Sequence, residues 1–197
     1  MDIVSHLFLG RILKQALEKN SFEALSTPHF LLGNILPDIR PDLRFNPLRG
    51  HRERIKHTVE DSCATLLEEM ASSQNPLEVG EEALHLGRYT HYFSDYFCHP
   101  HSRTYKGSPL HHLLYELGLT LYLIRNYSRI SARILQMTPV PLSSVEAIKA
   151  TFELEQFDYF SKPVSYERDI LYSLRFNLVL GISLARLSSK PDLSKVA

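Results

Sequence analysis

Apolar residues recur every three or four positions along almost the whole chain and nowhere alternate for long with polar ones. That spacing lines one face of a helix, whereas a half-buried strand needs alternation. The expected fold class is therefore all-α, a single-domain multi-helix bundle spanning residues 1–197. A first helix is expected from about Ile3 to Lys19, with Ile3, Leu7, Ile12, Ala16 and Leu17 facing inward. In STPHFLLGNILPDIRPDLRFNPLRGH, Pro28, Pro37, Pro41 and Pro47 allow only a short helix followed by an ordered loop. Further helices are expected from about Arg52 to Ser72, from Val79 to Phe97 and from Leu110 to Met137, with Gly118 as the place for a bend in the last of these. Ser144 should cap another short helix, a final helix should end near Leu187, and the tail from about residue 188 should fray.

Composition narrows the function classes. With 44% hydrophobic and 22% charged residues, 197 residues are enough to bury a core without covalent staples. Lys plus Arg and Asp plus Glu both number 22, so the chain lacks the basic field of a typical nucleic-acid binder, and it has no Trp for a stacking platform. The start, MDIVSHLFLGRILKQALEKN, is interrupted by His6, Arg11 and Lys14 and reads as an amphipathic helix of the mature protein rather than a signal peptide. No run reaches the roughly 20 apolar residues of a bilayer span, so no transmembrane segment is expected. Cys63 and Cys98, the only two cysteines, suit reduced thiols in a cytoplasmic protein.

Chemistry concentrates in GRYTHYFSDYFCHPHSRTYKGSPLHHLLYEL, Gly87 to Leu117, which holds five of the ten histidines. His91 and Asp95 are four apart on one expected helix, and so are His112 and Glu116 on the next, so each pair shares a face one turn apart. A lone pair of this kind is ordinarily a surface pair or a hydrogen-bonded core histidine. Two pairs on neighbouring helices, joined by a loop holding His99 and His101, can converge on one buried point. His6, Asp38, His51 and His57 are further candidates upstream. Polar groups turned into a helical core need compensation, which a divalent cation provides. Imidazole and carboxylate donors suit zinc, with iron or manganese as alternatives. The chain has no His-Glu-x-x-His, no His-Asp doublet and a single Glu-x-x-His, at Glu82 and His85, which argues against zincin proteases, doublet phosphohydrolases and di-iron bundles.

Four elements in order, SHLFLG, HFLLGNILPDI, GRYTHYFSDYFCHPH and HHLLYEL, resemble the zinc-dependent phospholipase C family, whose helical fold is shared with single-strand-specific zinc nucleases. The resemblance covers roughly the first 120 residues. It implies His101, His112 and Glu116 around one zinc, and Asp38, His57 or His51, His91 and Asp95 around a second, with His57 preferred. Asp95 would bridge to a third ion held by His6, a site that secreted relatives complete with their mature amino terminus. Tyr92, Asn34 and Tyr115 are candidates for holding ligating imidazoles in the right tautomer. His29, His85 and His99 are read as core or surface histidines.

The implied function is a metal-dependent phosphoric diester hydrolase, phospholipase C-like, in which two or three clustered zinc ions activate water for attack on phosphorus. Asp38 is the candidate general base. The substrate would be a phospholipid or a small phosphodiester. Alternatives are a nuclease or phosphatase with the same metal site, or a helical metal-binding protein without catalysis. No motif stands out after about residue 120.

Overall fold

The structure, a computed structural model, describes residues 1–20, 25–39, 43–46, 51–54, 79–102 and 105–188, the strand residues by their backbone alone. Helices dominate it. They are α1 (Ile3–Lys19), α2 (Thr27–Ile39), α3 (Val79–Tyr96), α4 (Pro109–Arg125), α5 (Tyr127–Leu135), α6 (Val145–Ser161) and α7 (Tyr166–Ser188), with a short 3₁₀ turn at His99–His101. The all-α expectation holds, with one addition. Strands β1 (Leu43–Asn46) and β2 (His51–Arg54) pair antiparallel, Leu43 opposite Arg54 and Asn46 opposite His51. Part of the expected loop is thus a strand, and residues 52–54 are not the start of a helix. The rest of the expected Arg52–Ser72 helix, Cys63 and the tail after residue 188 lie outside the described residues.

Local signals explain most boundaries. Asp2 caps α1 by accepting from the Ser5 amide at 2.7 Å, and Ser144, the expected cap, holds α6 through the Ala147 amide at 3.2 Å, although that helix runs 17 residues where a short one is expected. α2 carries Pro28 in its first turn, where an amide proton has no partner anyway, and runs through Pro37 in its last. The expected Leu110–Met137 helix is two helices, and the break falls at Asn126 rather than Gly118. Asn126 leaves helical geometry, and its side-chain amide donates to the Tyr122 carbonyl at 2.9 Å beside its own backbone amide at 3.0 Å, a local bond that caps the end of the first helix. Gly118 instead makes room for a neighbour: a Cβ there would lie 2.3 Å from the Tyr166 hydroxyl. In α1, Ile3 is 40% exposed, because the buried face is set by Ser5, His6, Leu9 and Leu13.

α7 is the axis of the core. Its Ile170, Leu174, Leu178 and Ile182 pack with α1, α4 and α5 residues in one cluster, while Tyr172, Phe176 and Leu180 enter an aromatic cluster with Phe93, Phe97 and Phe152. A helix apolar on two faces belongs inside a bundle. By length and composition it would also pass for a membrane span, contrary to the expectation that none would, but 61% of that window is buried, as in a core helix.

The tightest crossing joins α2 and α3. A Cβ on Gly33 would lie 2.2 Å from the Leu84 carbonyl oxygen, and one on Gly87 would lie 2.3 Å from the Phe30 carbonyl oxygen. Neither helix has a flexible side chain there that could yield. Gly87→Ala should therefore destabilise the fold by about 1–3 kcal/mol, the usual cost of overpacking, read as a lower urea midpoint. An unchanged midpoint would contradict the backbone-to-backbone contact.

Candidate metal centre

The α2–α3 crossing fixes the first half of the site. One turn beyond Gly87, His91 is fully buried and its Nδ1 donates to the Asn34 carbonyl oxygen at 2.8 Å. That bond makes Nε2 the lone-pair nitrogen, 3.8 Å from Asp38 Oδ1 and 3.6 Å from Asp95 Oδ2. His6, buried on α1, stacks on the His91 ring with centroids 3.9 Å apart and places Nε2 3.1 Å from Asp95 Oδ1. Its Nδ1 is buried without a hydrogen-bond partner. One nitrogen or oxygen from each of His6, Asp38 and His91 falls within 4.8 Å of the other two.

The second half lies where the 3₁₀ turn meets α4. His101 Nε2 and His112 Nε2 each approach Glu116 Oε1 at 2.9 Å, and His101 Nδ1 is 3.5 Å from Asp95 Oδ2. Donor atoms of Cys98, His101 and Glu116 also gather within 4.8 Å. Asp95 touches both halves and is buried. Between them sits the α-amino group of Met1, bonded to Asp95 Oδ1, 3.0 Å from His101 Nε2 and 3.2 Å from Glu116 Oε1.

The electrostatics favour the ligating forms of Glu116 and His101, and the protonated forms of the Met1 amine and the Cys98 thiol. Burial opposes charge on the Met1 amine, yet Asp95 and Glu116 prevail and push its pKa up to about 12. Burial would raise the Glu116 carboxyl, but hydrogen bonding from His101, the Met1 ammonium and His112 hold it down at about 2. Burial keeps the His101 imidazole below its usual range despite Asp95 and Glu116, hence neutral near pH 7 with a lone pair. Burial pushes the Cys98 thiol up, so that thiol would have to lose its proton to bind a cation.

These residues fit a divalent cation. The donor set is imidazole, carboxylate and one thiol, His91 turns its lone-pair nitrogen toward Asp38 and Asp95, and His6 Nδ1 is an unpartnered buried polar atom on a ring whose Nε2 meets Asp95. The structure brings together His6, Asp38, His91, Asp95, His101, His112 and Glu116. His6 groups with Asp38 and His91, where the resemblance had it with a separate ion. His51 belongs to β2, and its side chain is not described; His57 lies outside the described residues. Asn34 acts through its backbone carbonyl, Tyr92 packs edge-on against His91, and His29 and His85 meet Ser26 and Arg88 instead.

Sequence reasoning missed Asp169. This buried carboxylate at the start of α7 accepts from the His99 amide at 2.7 Å, the Tyr115 hydroxyl at 2.9 Å and the Tyr159 hydroxyl at 2.9 Å, and from Arg168 Nη2 at 2.7 Å. His99 is two residues from His101 and Tyr115 adjoins Glu116. One carboxylate thus clamps both elements that carry the second half of the site. Locally, Arg168-Asp169 in a first helical turn reads as a surface pair, and only the tertiary fold reveals its partners.

A family model described as zinc dependent phospholipase C matches residues 5–164, so the chain belongs to that family. No curated protein and no solved structure matches it. The match takes in every candidate ligand and ends before Asp169.

Asp169→Asn should weaken zinc binding at the His101 and Glu116 half about 10–100-fold, as lost outer hydrogen bonds do, while the His6 and His91 half keeps its affinity. Chelator competition on the folded variant reads both. Equal affinity in variant and wild type would show that the clamp serves the fold alone.

Proposed function

We propose that the chain is a zinc-dependent phosphoric diester hydrolase of the phospholipase C type. The observation that carries this reading is the adjoining of two donor clusters, His6, Asp38 and His91 beside Cys98, His101 and Glu116, with Asp95 between them. His6, Asp38, His91 and Asp95 would hold one zinc ion, and His101, His112 and Glu116 another. Bound zinc would supply Lewis-acid stabilisation of charge on phosphate oxygens and lower the pKa of water.

The protein groups divide the remaining work. Asp95, with a side chain only 1% exposed, holds buried donors in place, whereas the Asp38 side chain, 22% exposed, is the one open to solvent. Asp38 accepts a proton from the attacking water as its oxygen bonds to phosphorus. The bond from phosphorus to the leaving oxygen breaks, and a proton passes to that oxygen, giving an alcohol and a phosphomonoester. The Asn34 carbonyl keeps His91 in one tautomer throughout, and Asp169 holds the His101 turn against α4.

Turnover of phosphatidylcholine and of a chromogenic soluble phosphodiester by the zinc-loaded protein tests this. Asp38→Asn should lower kcat by about 10²–10⁴-fold, the usual loss on removing a general base. Full activity in Asp38→Asn would remove Asp38 from that role, and no turnover of either substrate by wild type would overturn the reading.

A further inference from the structure

α4 carries ligand candidates on one face and a second feature on the other. At about 100° per residue, Leu110, Leu113, Leu114, Leu117, Leu121 and Ile124 fill one sector about 100° wide, and no other residue of the helix falls inside it. All six are between 46% and 63% exposed. They form a strip about 21 Å long at 1.5 Å per residue. Ile3 and Val4, also exposed, sit on the first turn of α1, which Asp2 and Ser5 tie to Thr120 beside the strip. An outward sector made wholly of leucine and isoleucine is not how a solvated helix is built, and continuous apolar surface on this scale marks an interaction site.

Charge selects the occupant. Exposed Lys106, His111 and Arg125 flank the strip at its two ends, and the only acidic residue of α4, Glu116, is turned into the metal centre. A second copy docked by two-fold symmetry would set Arg125 against Lys106 in one orientation, or each against itself in the other, and like charges suppress such pairing. An anionic lipid surface satisfies both features, since leucines enter the acyl boundary while basic groups meet the headgroups. Glu116 and His112 lie about 60° and 100° around the helix from the strip's edge at Leu113, so a bilayer touching the strip flanks the side of α4 that carries the metal centre.

We infer that the outer face of α4 is a membrane-docking surface that seats the protein on anionic lipid with its metal centre at the interface. The inference rests on the phospholipid reading for the purpose of docking, but binding is measurable without turnover.

The test is flotation of the zinc-loaded full chain with phosphatidylcholine vesicles, with and without phosphatidylserine, together with light scattering of the free protein. Wild type should float, and more strongly with phosphatidylserine. Leu117→Glu with Leu121→Glu should reduce the bound fraction about tenfold or more, and Arg125→Glu should erase the preference for phosphatidylserine, with melting curves unchanged. Flotation without hydrolysis of any diester would leave docking standing and overturn the enzymatic reading. Hydrolysis of a soluble diester by a monomer that does not float would overturn docking alone. A wild-type dimer made monomeric by the leucine substitutions would also overturn it, assigning the face to a second copy.

Discussion

Where α2 crosses α3, Gly33 and Gly87 let two backbones touch with no side chain between them, and the rest of the centre depends on that approach. Any larger residue would force the helices apart. At a greater separation the Asn34 carbonyl could not reach His91 Nδ1, and the imidazole would lose the bond that fixes its tautomer and aim. Asp38, at the end of α2, would move away from His91 by the same displacement. The metal-binding capacity of the first half of the site is thus a consequence of helix packing more than of the donors themselves.

The second half is held by different means. Its donors come from a 3₁₀ turn and from α4, and Asp169 on the central helix binds both through His99 and Tyr115. Around that carboxylate, Arg168 and Tyr159 satisfy the remaining oxygen, so a buried charge is paired and fully hydrogen-bonded. α7 also reaches the first half, where Asn177 donates to the Thr90 carbonyl and to Ser94, the residues beside His91 and Asp95. One core helix therefore braces both sets of donors, which lets Asp95 sit between two clusters of imidazoles and carboxylates without distortion of either.

The parts of this arrangement that were legible in the sequence are those written at short range. His91 with Asp95 and His112 with Glu116 are four apart, and helical geometry alone puts each pair on one face. The Ser144 cap and the limits of α1 and α3 are equally local. What escaped reading depends on tertiary partners. In the pairing of 43–46 with 51–54, LRFN alternates over only four residues and HRER not at all, the break at Asn126 coincides with a side-chain bond that no apolar pattern reports, and Ile3 is exposed because the polar His6 sets the buried face. Asp169 finds its partners 54 and 70 residues away, a relation no local window contains. That the strip leucines of α4 face outward was not legible either, since periodicity reports a face and not what covers it.

The central claim is that these donors form a zinc centre in two halves joined at Asp95. It is tested most directly by elemental analysis of the untagged protein after zinc loading and gel filtration, comparing wild type with His91→Ala and His101→Ala. The account predicts more than one zinc ion per chain in wild type, and loss of a different ion in each variant, with the other retained. A wild-type protein that takes up no zinc, or variants that keep the full complement, would contradict it.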